Sequence, residues 1–289
     1  MPSAGVRTRI SLVLAEWIGR TQRTFDWITP NRISAWHATL DHGTGTPGDG
    51  GPAPLGFHWT LAQPAARESE LGPDGHARRG AFLPPIELPR RLWAGSRVRF
   101  CRPLRVGERV ERRSEIASIT EKTGRDSPLV FVTVRHRLLD IDGIAIEEEQ
   151  DLVYRGAPSE PPSEAGTKES TRVSSWQRTI HPTETLLFRY SALTFNTHRI
   201  HYDRRYAMEV EHYPGLVVHG PLIATLLLDL VQTAVDAGRI ERFHFRAKRP
   251  TFDTSDFTVC GAPAGDGHCS LWSTDNHGAL AVDAEAWFR

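Results

Sequence analysis

The sequence predicts an α+β protein built from two similar halves, each with an antiparallel sheet, packed as a pair. Three observations lead there. A stretch rich in Pro, Ser and Glu, APSEPPSEAGTKESTR (157–172), has linker composition and no apolar periodicity, and it divides the 289 residues into segments of similar size. Each segment then shows the same succession of a helix signal followed by strand-like runs. Finally, from Pro221 to Ala237 nearly every helical face carries Leu, Ile, Val or Ala, with Asp229 and Gln232 among the exceptions, which marks a helix buried all round.

The elements follow in chain order. Ile10, Val13, Leu14, Trp17 and Ile18 fall at helical spacing and predict a first helix. The apolar run there is too short for a secretory signal, and a cleaved organelle presequence is the competing reading. In the first half Thr29 can cap, Pro30 suits the first helical position, and Ile33, Trp36 and Leu40 share a face. In the second half Pro182 comes first, with Leu186, Tyr190 and Leu193 on one face. RFCRPL (99–104) matches RAKRPT (246–251) at Arg, Arg and Pro. LVFVTVRHRLL (129–139) and SDFTVCG (255–261) read as strands, and each half closes with a turn Gly leading a strand, DGIAIEEEQDLVYR and HGALAVDAEAWFR. In the last of these Leu280, Val282, Ala284, Ala286 and Phe288 alternate as a half-buried strand requires. Gly238 is a natural stop for the buried helix, which over 220–237 would be roughly 27 Å long. A curved antiparallel sheet wrapped around it is the simplest way to bury it. The expectation is therefore two paired α+β units, the second of hot-dog shape, with halves at 1–156 and 173–289 and the linker at 157–172.

Composition narrows the function. Lys+Arg and Asp+Glu are equal at 35 each, which gives no basic field for nucleic acid. No run of 18 apolar residues predicts a membrane span. Cys101, Cys260 and Cys269 are odd in number and widely spaced, which argues against a disulfide framework or zinc knuckle. A reducing compartment is the expectation: the cytoplasm, or the mitochondrial matrix in a eukaryote.

Two strings carry the chemistry. FRYSALTFNTHRIHYD (188–203) gathers His198, His201, Asn196 and Asp203 just ahead of GLVVHGPLIATLLLDL, which begins at Gly215. A neutral His can act as a general base, and an Asn amide can hold a water. Gly220 would sit at the N-terminus of the buried helix, where free N–H groups and the dipole favour an anionic oxygen and the missing side chain allows close approach. The bland alternative is a glycine that merely eases helix entry. Arg189, Arg199 and the pair Arg90-Arg91 are candidates for a substrate carboxylate, against the alternative that each meets acidic residues or solvent. A metal site on His198, His201, His212 and His219 is a rival, the first two having HxxH spacing.

ALTFNTHRIHYD resembles the active-site string of the MaoC-like, R-specific enoyl-thioester hydratases, and VVHGPLIATLL resembles that family's helix start. Ile200, His201 and Asp203 match the pattern directly, as do His219 and Gly220. Asn196 stands where the family usually has its catalytic Asp, Phe195 replaces a Gly, and His198-Arg199 replace Asn-Pro. These departures are similar to the branch of type 2 hydroxyacyl-thioester dehydratases and mesaconyl-/itaconyl-CoA hydratases, over roughly residues 20–289. RRLWAGSRVRFCRPLRVGE (90–108) and RPTFDTSDFTVCG (249–261) look like further parts of it.

The resemblance implies a double hot-dog, two antiparallel sheets each wrapped around a central helix, with the acyl-tail half first and the catalytic half second. It also implies reversible hydration of a 2-enoyl thioester. His201 would be the acid/base, Gly220 the oxyanion donor and Asn196 the water-holder, with His198 or Asp203 assisting. Arg91, Arg189, Arg199 and His219 would contact substrate. No cofactor or metal is implied beyond the CoA or pantetheine of the substrate itself, carried by CoA or by an acyl carrier protein. One chain already makes the minimal pseudo-dimer, and a homodimer is compatible with it. The rivals are a noncatalytic acyl-thioester-binding or scaffold partner, suggested by the missing Asp, and a thioesterase on the same fold.

Overall fold

The computed structural model describes residues 12–43, 45, 48–123, 128–156, 169–235, 240–265 and 267–289. Most of the expected linker, Ile10 and Gly238 lie outside these residues. The first half contains β1 (Thr21–Trp27), β2 (Arg90–Phe100), β3 (Arg109–Thr123), β4 (Pro128–Asp140) and β5 (Gly143–Arg155). The second contains β6 (Trp176–Ile180), β7 (Ile240–Ala247), β8 (Phe257–Gly265), β9 (His268–Thr274) and β10 (Leu280–Phe288). Together they form one antiparallel ten-stranded sheet, ordered β1-β3-β4-β5-β2-β7-β10-β9-β8-β6. Read inward from either edge, the two halves have the same strand order.

The double hot-dog thus holds, with the two sheets joined edge to edge through β2 and β7. Their pairing runs from Gly95↔Arg246 to Arg99↔Arg242, with Arg97↔His244 at its centre. Arg99 and Arg246, matched in the sequence motif, therefore occupy symmetric positions about that centre. Gly95 is required at this seam, because a methyl group there would meet the Phe245 carbonyl oxygen at 2.3 Å.

Among the described residues four α-helices accompany the sheet. α1 (Leu12–Ala15) is a single turn, shorter than the apolar spacing predicts, and Val13 and Ile18 are exposed. α2 (Pro30–Thr39) is capped by Thr29, whose hydroxyl accepts from the Arg32 N–H, and it buries Ile33 and Trp36. α3 (Glu184–Leu193) starts two residues later than Pro182 suggests, because the Thr183 hydroxyl takes the cap by accepting from the Leu186 N–H at 3.1 Å. Trp36 of α2 packs on Tyr190 of α3 with ring centroids 6.2 Å apart, so the two equivalent helices meet across the seam.

α4 (Gly220–Ala234) is the buried helix, with ten of its residues from Pro221 to Val231 buried against β6, β8, β9 and β10. Each fully buried Leu or Ile there stabilises the fold by about 1.5–3 kcal/mol. Asp229, one of the polar exceptions, bonds the Arg178 guanidinium at 2.7 Å.

The corresponding place in the first half departs from expectation. Instead of a central helix there is one 3-10 turn, Phe57–Thr60, entered through Gly56 at φ 84°. The sheet compensates with polar side chains. Glu148 accepts from Ser96 Oγ (2.6 Å) and Trp59 Nε1 (3.1 Å), while His136 accepts from Ser114 Oγ (2.8 Å) and Arg112 Nε (3.3 Å) at Nδ1. Burial would raise the Glu148 carboxyl, but His58, His136 and the Ser96 hydroxyl overcome it and hold the group down to about 2.

Candidate active site

The loop after α3 is shaped by its own short side chains. Thr194 Oγ1 donates to the Tyr190 carbonyl (2.7 Å) and ends the helix, and Phe195 at φ 49° reverses the chain. Asn196 Oδ1 then accepts from the His198 N–H at 3.0 Å. A 3-10 turn, Arg199–His201, follows. Its Ile200 carbonyl accepts from the Val217 N–H (2.9 Å), and His201 Nδ1 donates to the Val217 carbonyl (2.7 Å). This two-way link draws the loop against the strand-like segment that leads into α4.

The consequence is a row of imidazoles. His201 stacks on His219 with centroids 3.7 Å apart and planes 18° from parallel. His219 is the N-cap residue of α4 and is bonded through Nε2 to Ser191 Oγ at 2.8 Å. Gly220 is the next residue. A methyl group on Gly220 would meet nothing closer than the Trp93 carbonyl oxygen at 3.9 Å, which leaves the helix end approachable. With Nδ1 held by Val217, His201 presents Nε2 as its basic atom. Burial, with His76 adding to it, pushes His201 down to about 4 against the Val217 bond, so the ring is neutral at pH 7. Burial likewise depresses His198 and His219 well below the usual histidine range.

The first half contributes a turn that the sequence reading missed. Residues 72–76 dock on the loop: the Arg199 N–H donates to the Asp74 carbonyl (2.9 Å) and Thr197 Oγ1 donates to the Gly75 carbonyl (2.5 Å). Only glycine fits at position 75, at φ +86°, since a methyl group would lie 1.9 Å from the Thr197 carbonyl oxygen. The turn brings His76 onto His198, centroids 4.1 Å apart, and His198 meets His201 edge-on at 5.5 Å. The Asp74 carboxylate accepts from His76 twice, from the backbone N–H (3.1 Å) and from Nδ1 (3.0 Å).

The candidate arginines separate clearly. Arg199 is bonded to Asp203 (3.0 and 2.7 Å), and Asp203 also accepts from the Tyr206 N–H, so these two face each other and not the histidines. Arg90 is held by Glu211 at 2.8 Å. Arg189 is exposed and lines a cavity of about 660 Å³ between α2 and α3, with Phe188, Phe195 and Gln63, whose walls include none of the four histidines. Arg91 remains. It pairs with Tyr154 in the β2–β5 register, and its charge bears on Asp74, His76 and His198. Among the described residues no carboxylate lies within ion-pair distance of it.

Among the described residues His198, His201, His212 and His219 do not bring three ligand atoms within 4.8 Å of one another. Asp74, His76 and His198 do bring ligand atoms within 4.8 Å of one another. The nearby Arg91 charge opposes a cation there.

A double hot-dog whose buried helix begins beside a neutral, oriented histidine is a scaffold for acid–base chemistry on a polarised carbonyl. The chain belongs to the hydroxyacyl-thioester dehydratase type 2 family, which residues 56–253 match, and it is a hydro-lyase. It is 44% identical to a mesaconyl-C(4)-CoA hydratase of Chloroflexus aurantiacus over 268 residues, 93% of this chain and 95% of that relative. It is 28% identical to the mitochondrial hydroxyacyl-thioester dehydratase type 2 of Schizosaccharomyces pombe over 76% of this chain and 81% of that one. In fold it resembles a MaoC-like dehydratase from Phytophthora capsici, with a TM-score of 0.70 at 14% identity over 96% of this chain and 97% of that one.

Proposed function

We propose that this chain reversibly hydrates a short 2-enoyl-CoA bearing a distal carboxylate, of the mesaconyl-CoA type. The observation that carries the reading is the pairing of His201, whose Nε2 is free beside the N-terminus of α4, with Arg91, a cation without a carboxylate partner among the described residues.

The Gly220 N–H would hold the thioester oxygen. His201 Nε2 takes a proton from water as the water oxygen bonds to the β-carbon, and the displaced electron pair collects on the oxygen at Gly220. The resulting imidazolium returns its proton to the α-carbon, so H and OH add across the double bond. An oxyanion donor of this kind lowers the barrier by about 3 kcal/mol. Arg91 would bind the distal carboxylate. Protein groups carry every step, and CoA enters only as part of the substrate. The likeness to the Chloroflexus mesaconyl-C(4)-CoA hydratase supports the substrate class.

Hydration rates across a panel of enoyl-CoA thioesters with and without a distal carboxylate test this directly. The expected result is a kcat/KM preference for the carboxylated members of about 10–100-fold, the range that one charge-assisted bond supplies. Equal rates would remove Arg91 from the reading, and thioester binding without hydration would remove the reaction.

A further inference from the structure

Asn196 has no basic atom at pH 7, and one of the two lone pairs on its carbonyl oxygen already accepts from the His198 backbone. A water attacking an enoyl thioester is held in place by two oriented acceptors, and the Val217 carbonyl orients one of them in the second-half loop, His201 Nε2. A second oriented acceptor is present in the first half. Asp74 takes His76 through Nδ1, which fixes the tautomer with Nε2 as the free acceptor on the opposite edge of the ring. The surrounding turn is clamped to the loop through Thr197 and Arg199, and it places the His76 ring against His198, one ring away from His201.

We infer that His76, oriented by Asp74, is a second catalytic histidine that accepts a hydrogen bond from the attacking water and so does the work a carboxylate would do at position 196. The inference rests on the hydratase reading above. One O–H bond of the water breaks as its proton passes to His201 Nε2, and the oxygen bonds to the β-carbon. The other O–H stays intact against His76 Nε2 and becomes the product hydroxyl. His76 begins and ends neutral, and no further reactant is required. Burial and the nearby Arg91 charge push His76 down to about 4 despite Asp74, which keeps it an acceptor throughout the neutral range.

The test compares His76→Leu, Asp74→Asn and the double variant His76→Leu/Asn196→Asp with the intact enzyme. His76→Leu should lower kcat at least 100-fold with KM within about threefold, the usual weight of an acid–base group. Asp74→Asn, which keeps an acceptor for the turn, should lower kcat about tenfold. Asn196→Asp should restore at least a tenth of the lost rate to His76→Leu, because a carboxylate at 196 supplies the missing acceptor; a merely structural role for His76 would not respond to it. Should His76→Leu melt well below the intact enzyme, Asp74→Asn carries the same comparison, and its recovery with Asn196→Asp supports the inference.

Retention of at least a third of kcat in His76→Leu, or no recovery from Asn196→Asp, overturns it. So does loss of activity on chelation with recovery on added zinc, which would make Asp74, His76 and His198 metal ligands. If His76→Leu keeps its rate while His201→Ala loses it, only this inference falls. If the intact enzyme hydrates nothing, the hydratase reading falls with it.

Discussion

In the second half the sheet packs on the fifteen residues of α4, which are buried from Pro221 to Val231 except at Asp229. In the first half the same place holds the single turn Phe57–Thr60 and a layer of buried polar groups, Glu148, His136, Arg112, Ser114 and Ser96. Strand order and the symmetric β2–β7 seam show that the scaffold is shared. What differs is the filling. A full-length helix supplies a dipole end with free N–H groups; a shortened one leaves room for loop residues to reach across. The residues 72–76 turn does this, bringing His76 to the second-half loop, while β2 brings Arg91. On the proposed reading the second half holds the general base and the oxyanion donor, and the first half supplies His76 and the Arg91 charge.

Each variant below breaks one side of that contrast. The largest effect on stability is expected from Glu148→Ala, which strands the Trp59 and Ser96 donors and the buried Arg112 charge and should cost about 3–5 kcal/mol in denaturant unfolding. A loss under 1 kcal/mol would mean that the polar layer does not replace the helix. Gly220→Pro deletes one N–H at a first helical position that tolerates proline, and it should lower kcat about 100–1,000-fold with the fold kept. Unchanged kcat with native circular dichroism would show that another donor holds the thioester oxygen. Gly75→Ala forces the first-half turn off Thr197 and should cost about 10–100-fold in kcat, an effect of displaced catalytic groups.

A smaller, graded effect comes from pH. His76 and His201 are pushed down to about 4 and His136 to about 3, from an ordinary value near 6.5. The unfolded chain protonates these histidines first, so it binds more protons in that window. Stability from them is complete above about pH 6.5 and is lost as pH falls toward 4. Thermal scans from pH 8 to 4.5 should show a flat Tm above about 7 and a decline below about 6.5; a Tm that rises on acidification would contradict the burial of neutral rings.

How far the sequence reached follows the same division. The second half was legible because its signals are local: a helix apolar all round, a glycine at its start, and a polar string just before it. Thr29 and Pro30 announced α2 equally well. The first-half central helix was expected from the resemblance and the matched halves; FHWT lies in a Pro- and Gly-rich stretch with no helical period, which permits only one turn. Asp74 and His76 were invisible because Gly75 touches Thr197 across 122 residues of sequence, in a turn with no periodic pattern. The arginines looked alike in the string. Arg90 and Arg91 are told apart only by Glu211, a distant acid that reaches one and not the other.

The division of labour is tested most directly by the hydration rates of His201→Ala and Arg91→Leu, each measured on mesaconyl-CoA and on crotonyl-CoA. His201→Ala should lose at least 100-fold on both substrates, the usual weight of a general base. Arg91→Leu should lose its selectivity for the carboxylated one, with the ratio of kcat/KM values falling about 10–100-fold. Rates in His201→Ala above a tenth of the intact enzyme's, or two variants that fail alike on both substrates, would contradict it.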